Sequence, residues 1–310
     1  MIRRDAKASL AGPPGSGLAA LTTFTVLVGL VARQRRGHRE RTERRALAAP
    51  IRDAAVRAGL AEVGSSTTTH REPCIVVVMA AYEEAGSLAG VLAALPERLC
   101  GLPVRAVVVD DGSRDDTALE ARKAGAVVCT HRRNLGQGDA LRTGFAVARG
   151  LGARVVVTMD ADGQHDPGEL KALVEPVVSG AAQYVQGSRF LGEYDDAGGA
   201  RDVGIRIFTA LINALTQAGI TDCTNGYRTI DAHALDRLRL VEDRFSASEI
   251  LVQAAANRLV IREVAVHIRR RETGCSKKPR GARYAAGYLG AIIRSWTRAQ
   301  DSRSQVRAGA

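Results

Sequence analysis

From residue 73 to residue 190, short apolar runs alternate with stretches whose apolar residues recur every three or four positions. Continuous runs of that length read as strands buried on both faces, and the longer period reads as amphipathic helix, together the pattern of a mainly parallel sheet. Strands are expected over residues 74–79, 104–109, 126–130, 155–159 and 183–187, and helices over 87–95, 115–123, 138–149 and 167–178. The fold class is α/β, with helices flanking the sheet.

Several strands stop at polar tips. The fourth ends in Met159-Asp160-Ala161-Asp162-Gly163-Gln164-His165-Asp166-Pro167, and the second in Asp110-Asp111-Gly112-Ser113. The two-residue spacing of Asp160 and Asp162 puts both on one side of an extended backbone. In an open α/β sheet, ligands bind beyond the carboxyl ends of the strands. Two hard oxygen ligands there suit Mg2+ or Mn2+, which take one or two carboxylates and fill their remaining positions with water and substrate phosphates. Gln164 is a third oxygen in reach. His165 lies out of phase with the acids and reads as a brace for the loop rather than as a ligand. Residues 134–138 read either as a wall of the site or as a tight strand-to-helix turn.

Beyond residue 192 the regularity changes. Residues 192–199, rich in Gly and Asp, form a loop long enough to be a mobile lid. A helix over 203–218, a polar loop over 221–228, a helix over 246–257, a strand over 259–268 and a basic loop over 269–278 follow. The last helix, over 282–298, carries Tyr284, Tyr288, Leu289, Ile292, Ile293 and Trp296 on one broad face. Such a face packs on the domain's own core or lies on a membrane surface.

The 310 residues and their apolar fraction allow one large domain with appendages. We divide the chain into an apolar segment with an Arg-rich run (1–45), a linker (46–72), a catalytic domain (73–278) and an amphipathic helix with tail (279–310). Much of the net charge of +11 is local: Arg33, Arg35, Arg36, Arg39, Arg41, Arg44 and Arg45 are opposed only by Glu40 and Glu43. The run suits an anionic lipid surface or a solvated linker. Residues 18–32 are uncharged and mostly apolar but fall short of the roughly 20 residues a bilayer core needs. Extended back to Pro14 they nearly span, and the arginines that follow would keep the catalytic domain on the cytoplasmic side. The five cysteines, Cys74, Cys100, Cys129, Cys223 and Cys275, are scattered as ordinary thiols of a reducing compartment.

No Gly-Lys-Ser/Thr element is present, and no strand is followed by the Rossmann glycine pattern, which disfavours P-loop and dehydrogenase chemistry. Carboxylates at one sheet edge, with Arg189, Arg201, Arg206, Arg228 and Lys277 downstream, fit a nucleoside diphosphate linked to something else. A nucleotidyltransferase would need a basic, glycine-rich loop near its first strand, where 80–86 is acidic.

In order and spacing, Ala80-Ala81-Tyr82-Glu83-Glu84, Asp110-Asp111-Gly112-Ser113, residues 160–167, Gly187-Ser188-Arg189 and Gly274-Cys275-Ser276-Lys277 resemble the inverting glycosyltransferases of family 2, most of all the dolichyl- or polyprenyl-phosphate sugar synthases. The resemblance covers residues 73–278 and implies the GT-A fold, with a UDP- or GDP-linked sugar as donor and a polyprenyl phosphate as acceptor. It implies that Tyr82, Glu84, Asp110 and Asp111 bind the nucleoside, that Asp160, Asp162 and Gln164 hold the metal on the diphosphate, and that Arg189, Arg206, Ser276 and Lys277 hold phosphate, with Asp160, Asp162 and Arg189 catalytic. The family's first motif usually reads Pro-x-Tyr-Asn-Glu, so Ala80 and Glu83 depart from it, and Ala265 stands where proline is usual.

A lipid phosphate is already anionic and needs no base. A saccharide or small-molecule hydroxyl would need one, and Asp222 and Glu249 are the candidates, each readable instead as a loop cap (Asp222) or a solvated helix face (Glu249). The absence of a Gln-x-x-Arg-Trp element argues against a processive polysaccharide synthase. Intact acids argue against an idle nucleotide-sugar-binding protein held at a membrane. The expected place is the cytoplasmic face of a membrane, peripheral or with one N-terminal anchor, or otherwise the cytoplasm, with no nucleic-acid partner.

Overall fold

The apolar run Cys-Ile-Val-Val-Val-Met-Ala-Ala forms β1 (Cys74–Ala81), which lies between two parallel neighbours, β3 (Leu102–Asp110) and β5 (Ala153–Thr158). This computed structural model describes residues 16–64, 72–195, 199–271 and 282–308. β4 (Val127–Thr130) continues the parallel ladder outside β3, and the short β2 (Arg98–Leu99) pairs antiparallel with β3. On the other side, β7 (Arg228–Asp231) runs antiparallel between β5 and β6 (Tyr184–Ser188), and β8 (Ile261–Ala265) closes that edge parallel to β6. The carboxyl ends of β1, β3, β5 and β6 therefore share one edge.

Alternate residues of β1 face two apolar layers, as expected for a strand covered on both sides. Cys74, Val76 and Val78 belong to one apolar cluster with Phe145 and Val147 of α4 (Gln137–Gly150), Leu251 of α8 (Ser246–Ala256) and Ile292 of α9 (Ala282–Ala308). Ile75, Val77 and Met79 join Leu88 of α2 (Ala85–Ala93) and Leu173 of α5 (Leu170–Val178). In α9, Tyr288 and Ile292 are buried while Leu289 and Ile293 point outward, so the helix packs on the core through half of its apolar face.

Four expectations change. The chain falls into two compact units, Met1–Pro50 and Ile51–Ala310. Helix α1 (Ser16–Gly64) covers most of the expected linker, and Ala55, Val56 and Leu60 join the core of the second unit, so 51–64 belongs to the domain. Among the described residues, no helix is long and apolar enough to cross a membrane. Strand β7 was not foreseen. The first part of the expected lid is stitched down instead: Ile268 N–H donates to Glu193 O (3.0 Å), Asp195 N–H to Ile268 O (3.1 Å), and Asp195 accepts from Arg270 N–H (2.7 Å). Residues 196–198 lie outside the described residues.

Candidate active site

The turn after β1 is built by the loop after β3. Glu83 N–H donates to Ser113 Oγ (2.9 Å), Glu84 N–H to Thr117 Oγ1 (2.9 Å) and Ala85 N–H to Asp115 Oδ2 (3.2 Å), so three amides at the start of α2 find acceptors in a neighbouring loop. Asp110 Oδ1 accepts from Ser113 N–H (2.9 Å) and shapes that loop. Glu83 takes φ of +54°, a left-handed conformation that Asn tolerates better than Glu. Glu83→Asn is therefore expected to raise stability by about 1 kcal/mol, measured by urea unfolding. A loss of stability would show that the Glu83 side chain contributes more than its backbone costs.

Asp111 is buried and turned to donors of its own chain. Its Oδ1 accepts from His131 Nδ1 (2.8 Å) and Leu135 N–H (2.9 Å), and its Oδ2 from Gly136 N–H (2.7 Å). Both Asp111 oxygens are engaged by the 131–136 segment, so Asp111 anchors that segment. That anchoring sets residues 134–138. Gly138 N–H donates to Asp243 O (2.8 Å), and a Cβ on Gly138 would lie 2.0 Å from Glu242 O, an approach only glycine allows. Gln137 is thereby brought to Asp160, its Nε2 lying 3.4 Å from Oδ1. The segment is a tight turn, and its Gln137 lines a small cavity together with Asp160, Gly226, Arg228 and Ser246.

Strand β5 ends at Thr158, so Asp160 and Asp162 hang from the turn beyond it rather than from its alternating faces. Asp162 is 6 % exposed; its Oδ1 accepts from Gln164 N–H (3.1 Å), and its Oδ2 pairs with Arg271 Nη2. Arg271 Nη1 also reaches Glu84 Oε1 (3.3 Å), so one guanidinium ties the tip of β1 to the tip of β5. Burial pulls the Arg271 pKa down, but Asp162, Glu84 and Asp160 outweigh it and leave the group above its ordinary value. Gln164 Nε2 donates to Arg269 O (3.1 Å). Arg271 was not singled out from the sequence, where it is one of three consecutive arginines.

The acid tip fits a divalent metal of one kind. Among the described residues, no three or more His, Cys, Asp or Glu side chains gather to form a closed cage. The protein offers two carboxylates, one already matched to a cation. Such a pair of carboxylates suits Mg2+ or Mn2+ sharing its coordination with diphosphate and water.

Both candidate bases are buried and ion-paired. Asp222 is fully buried; Arg189 Nε donates to its Oδ2 (2.6 Å) and Thr224 N–H to its Oδ1 (3.0 Å). Arg189 Nη2 donates to Thr224 Oγ1 (3.1 Å). Burial opposes the Arg189 charge, and Asp222 reverses that effect and holds the guanidinium above its ordinary pKa. Glu249 is not on a solvated helix face: it is 1 % exposed and accepts from Val241 N–H (2.8 Å), Glu242 N–H (2.8 Å) and Arg298 Nη2 (2.7 Å). Arg206 is exposed on α6 (Ala200–Thr216), its guanidinium carbon 4.3 Å from the centre of the Phe190 ring. Ser276 and Lys277 lie outside the described residues.

The sequence profile described as "Glycosyl transferase family 2" matches residues 76–239. UDP-N-acetylglucosamine–dolichyl-phosphate N-acetylglucosaminyltransferase of Methanococcus voltae is 31% identical over 182 residues, which cover 52% of this chain and 72% of that protein. Polyprenol monophosphomannose synthase of Mycolicibacterium smegmatis is 33% identical over 186 residues, covering 56% and 70%. Among solved structures, glucosyl-3-phosphoglycerate synthase from Mycobacterium tuberculosis, in complex with Mn2+, uridine-diphosphate-glucose and phosphoglyceric acid, superposes with a TM-score of 0.58 at 22% identity, over 73% of this chain and 80% of that one. That likeness carries the fold.

Proposed function

Because the chain belongs to glycosyl transferase family 2 and is a glycosyltransferase of GT-A fold, we propose that it moves a sugar, with inversion, from a nucleoside-diphosphate donor to a polyprenyl phosphate. The observation that carries this acceptor is the state of the two carboxylates a hydroxyl acceptor would need. Asp222 is paired with Arg189, and Glu249 with Arg298 and two amides. A phosphate oxygen is anionic near neutral pH and attacks without a base. The Methanococcus relative, which transfers N-acetylglucosamine to dolichyl phosphate, and the Mycolicibacterium relative, a polyprenol monophosphomannose synthase, support the same reading.

In this reading Tyr82, Glu84, Asp110 and Asp111 bind the nucleoside, and Asp110 and Asp111 also shape the loops on which it rests. Asp160 and Asp162, with Gln164 beside them, would hold Mg2+ or Mn2+, which when bound stabilises the negative charge of the leaving diphosphate. Arg271 contributes positive charge to the same tip. Arg189 is held rigid by Asp222 at the tip of β6, and Arg206, Ser276 and Lys277 supply the cationic side that receives the acceptor. The enzyme works at the cytoplasmic face of a membrane, where its acceptor resides.

The test is transfer by purified protein, with Mn2+ or Mg2+, from a panel of UDP- and GDP-sugars to a short polyprenyl phosphate and to the matching polyprenol. Product on the phosphate and none on the alcohol is expected. Transfer to saccharide or small-molecule hydroxyls, with none to the lipid phosphate, would overturn the acceptor assignment.

A further inference from the structure

The loop that enters β7 reaches the acid tip from behind. Asn225 is 1 % exposed and its amide is oriented by the chain on both sides: Nδ2 donates to Gly187 O (2.9 Å), and Oδ1 accepts from Tyr227 N–H (3.1 Å). His165 Nε2 lies 3.0 Å from that same Oδ1, an acceptor, so Nε2 carries the ring proton. His165 Nδ1 is then the acceptor for Asp160 N–H (3.0 Å). The ring is 3 % exposed and stacks on Tyr227, with centroids 4.9 Å apart and planes at 21°; Tyr227 in turn donates its hydroxyl to Asp166 O (3.0 Å). Gly226, the next residue after Asn225, lies against the side chain of Asp160: a Cβ there would be 2.9 Å from Oδ1 and 3.2 Å from Oδ2.

We infer that Asn225, His165 and Gly226 are positioning residues for Asp160, fixing its main chain through one oriented imidazole and its carboxylate through one missing Cβ. The inference rests on the reading that Asp160 holds the metal. Strand β5 has already ended at Thr158, so its own ladder does not fix Asp160. The support comes instead from a loop more than 60 residues later, which enters the sheet between β5 and β6. Neutral Asn225 presents an acceptor to Nε2, which leaves Nδ1 unprotonated toward the Asp160 amide. Residues that orient ligand-bearing groups from behind typically change metal affinity 10–100-fold when replaced.

Two substitutions at one position separate this from a general role in folding. An Asn side chain places its oxygen near the position of Nδ1, and a Gln side chain reaches the position of Nε2. His165→Asn keeps the acceptor for Asp160 N–H and gives up Asn225; His165→Gln does the reverse. Binding of Mn2+ in the presence of UDP or GDP is measured by the electron paramagnetic resonance of free Mn2+, alongside the melting temperature without ligand. Wild type should bind, H165N should stay within about threefold of it, and H165Q should weaken by roughly tenfold or more. Gly226→Ala, which leaves the histidine and its asparagine in place, should also weaken Mn2+ by roughly tenfold. Equal Mn2+ affinity in H165N and H165Q, or a G226A protein that binds like wild type, would overturn the inference while leaving the metal reading intact. A wild type that binds no Mn2+ with either nucleotide would overturn the metal reading and this inference with it.

Discussion

Asp162→Ala is expected to lower sugar transfer by on the order of 10³-fold or more, at any Mn2+ or Mg2+ concentration that leaves the protein soluble. Two losses combine. The first is a carboxylate of the acid tip, where a bound metal would contribute several kcal/mol to stabilising the departing diphosphate, and about 1.4 kcal/mol corresponds to tenfold in rate. The second is the partner of Arg271, which in this structure pairs with both Asp162 and Glu84. Without Asp162 the guanidinium no longer links Glu84 to Asp162, and the two strand tips lose that bridge between them. Asp162→Asn preserves an oxygen for Gln164 N–H, which donates to Asp162 Oδ1 at 3.1 Å, and removes only the charge. Its turnover should therefore be almost as low as that of D162A, with a smaller fall in melting temperature. Transfer by D162A within tenfold of wild type would remove Asp162 from the catalytic set.

The sheet was legible because β1, β3 and β5 each carry an unbroken apolar run, at 74–81, 106–109 and 155–157, a pattern that burial on two faces demands. Strand β7 was not, because Arg-Thr-Ile-Asp is short and charged at both ends, and nothing in it announces a central strand. Its burial depends on carbonyls outside the strand: Arg228 Nη1 donates to Ala247 O and Nη2 to Asn225 O. The candidate site divides in the same way. Asp160 and Asp162 announced themselves through their position after an apolar run, and both lie in the turn that follows β5. Asp111, Asp222 and Glu249 carry the same functional group, yet each is answered by donors far along the chain, from His131, Arg189 and Arg298 respectively. A sequence shows which carboxylates exist, and only the fold shows which are already hydrogen-bonded. Arg271 was hidden for the opposite reason, since Arg269, Arg270 and Arg271 are chemically alike and only the last meets both Glu84 and Asp162.

Asp222→Ala is expected to destabilise the protein by about 3–5 kcal/mol, because it leaves Arg189 buried with its main charge partner removed. Asp222 has no exposed surface, Arg189 is 6 % exposed, and Nε lies 2.6 Å from Oδ2. In a domain whose total stability is about 5–15 kcal/mol, that loss should lower the melting temperature by roughly 10 °C. The same geometry separates an ion pair from a catalytic base. A base would give, in Asp222→Asn, a fall in turnover with stability and KM nearly unchanged. An ion pair gives instead a fall in stability that depends on Arg189. Urea unfolding of wild type, R189Q, D222N and the R189Q/D222N double variant should show the double losing less than the sum of the singles, because removing either charge alone strands the other. Additive losses, together with a D222N protein as stable as wild type but inactive, would restore Asp222 as a base and reopen the case for a hydroxyl acceptor.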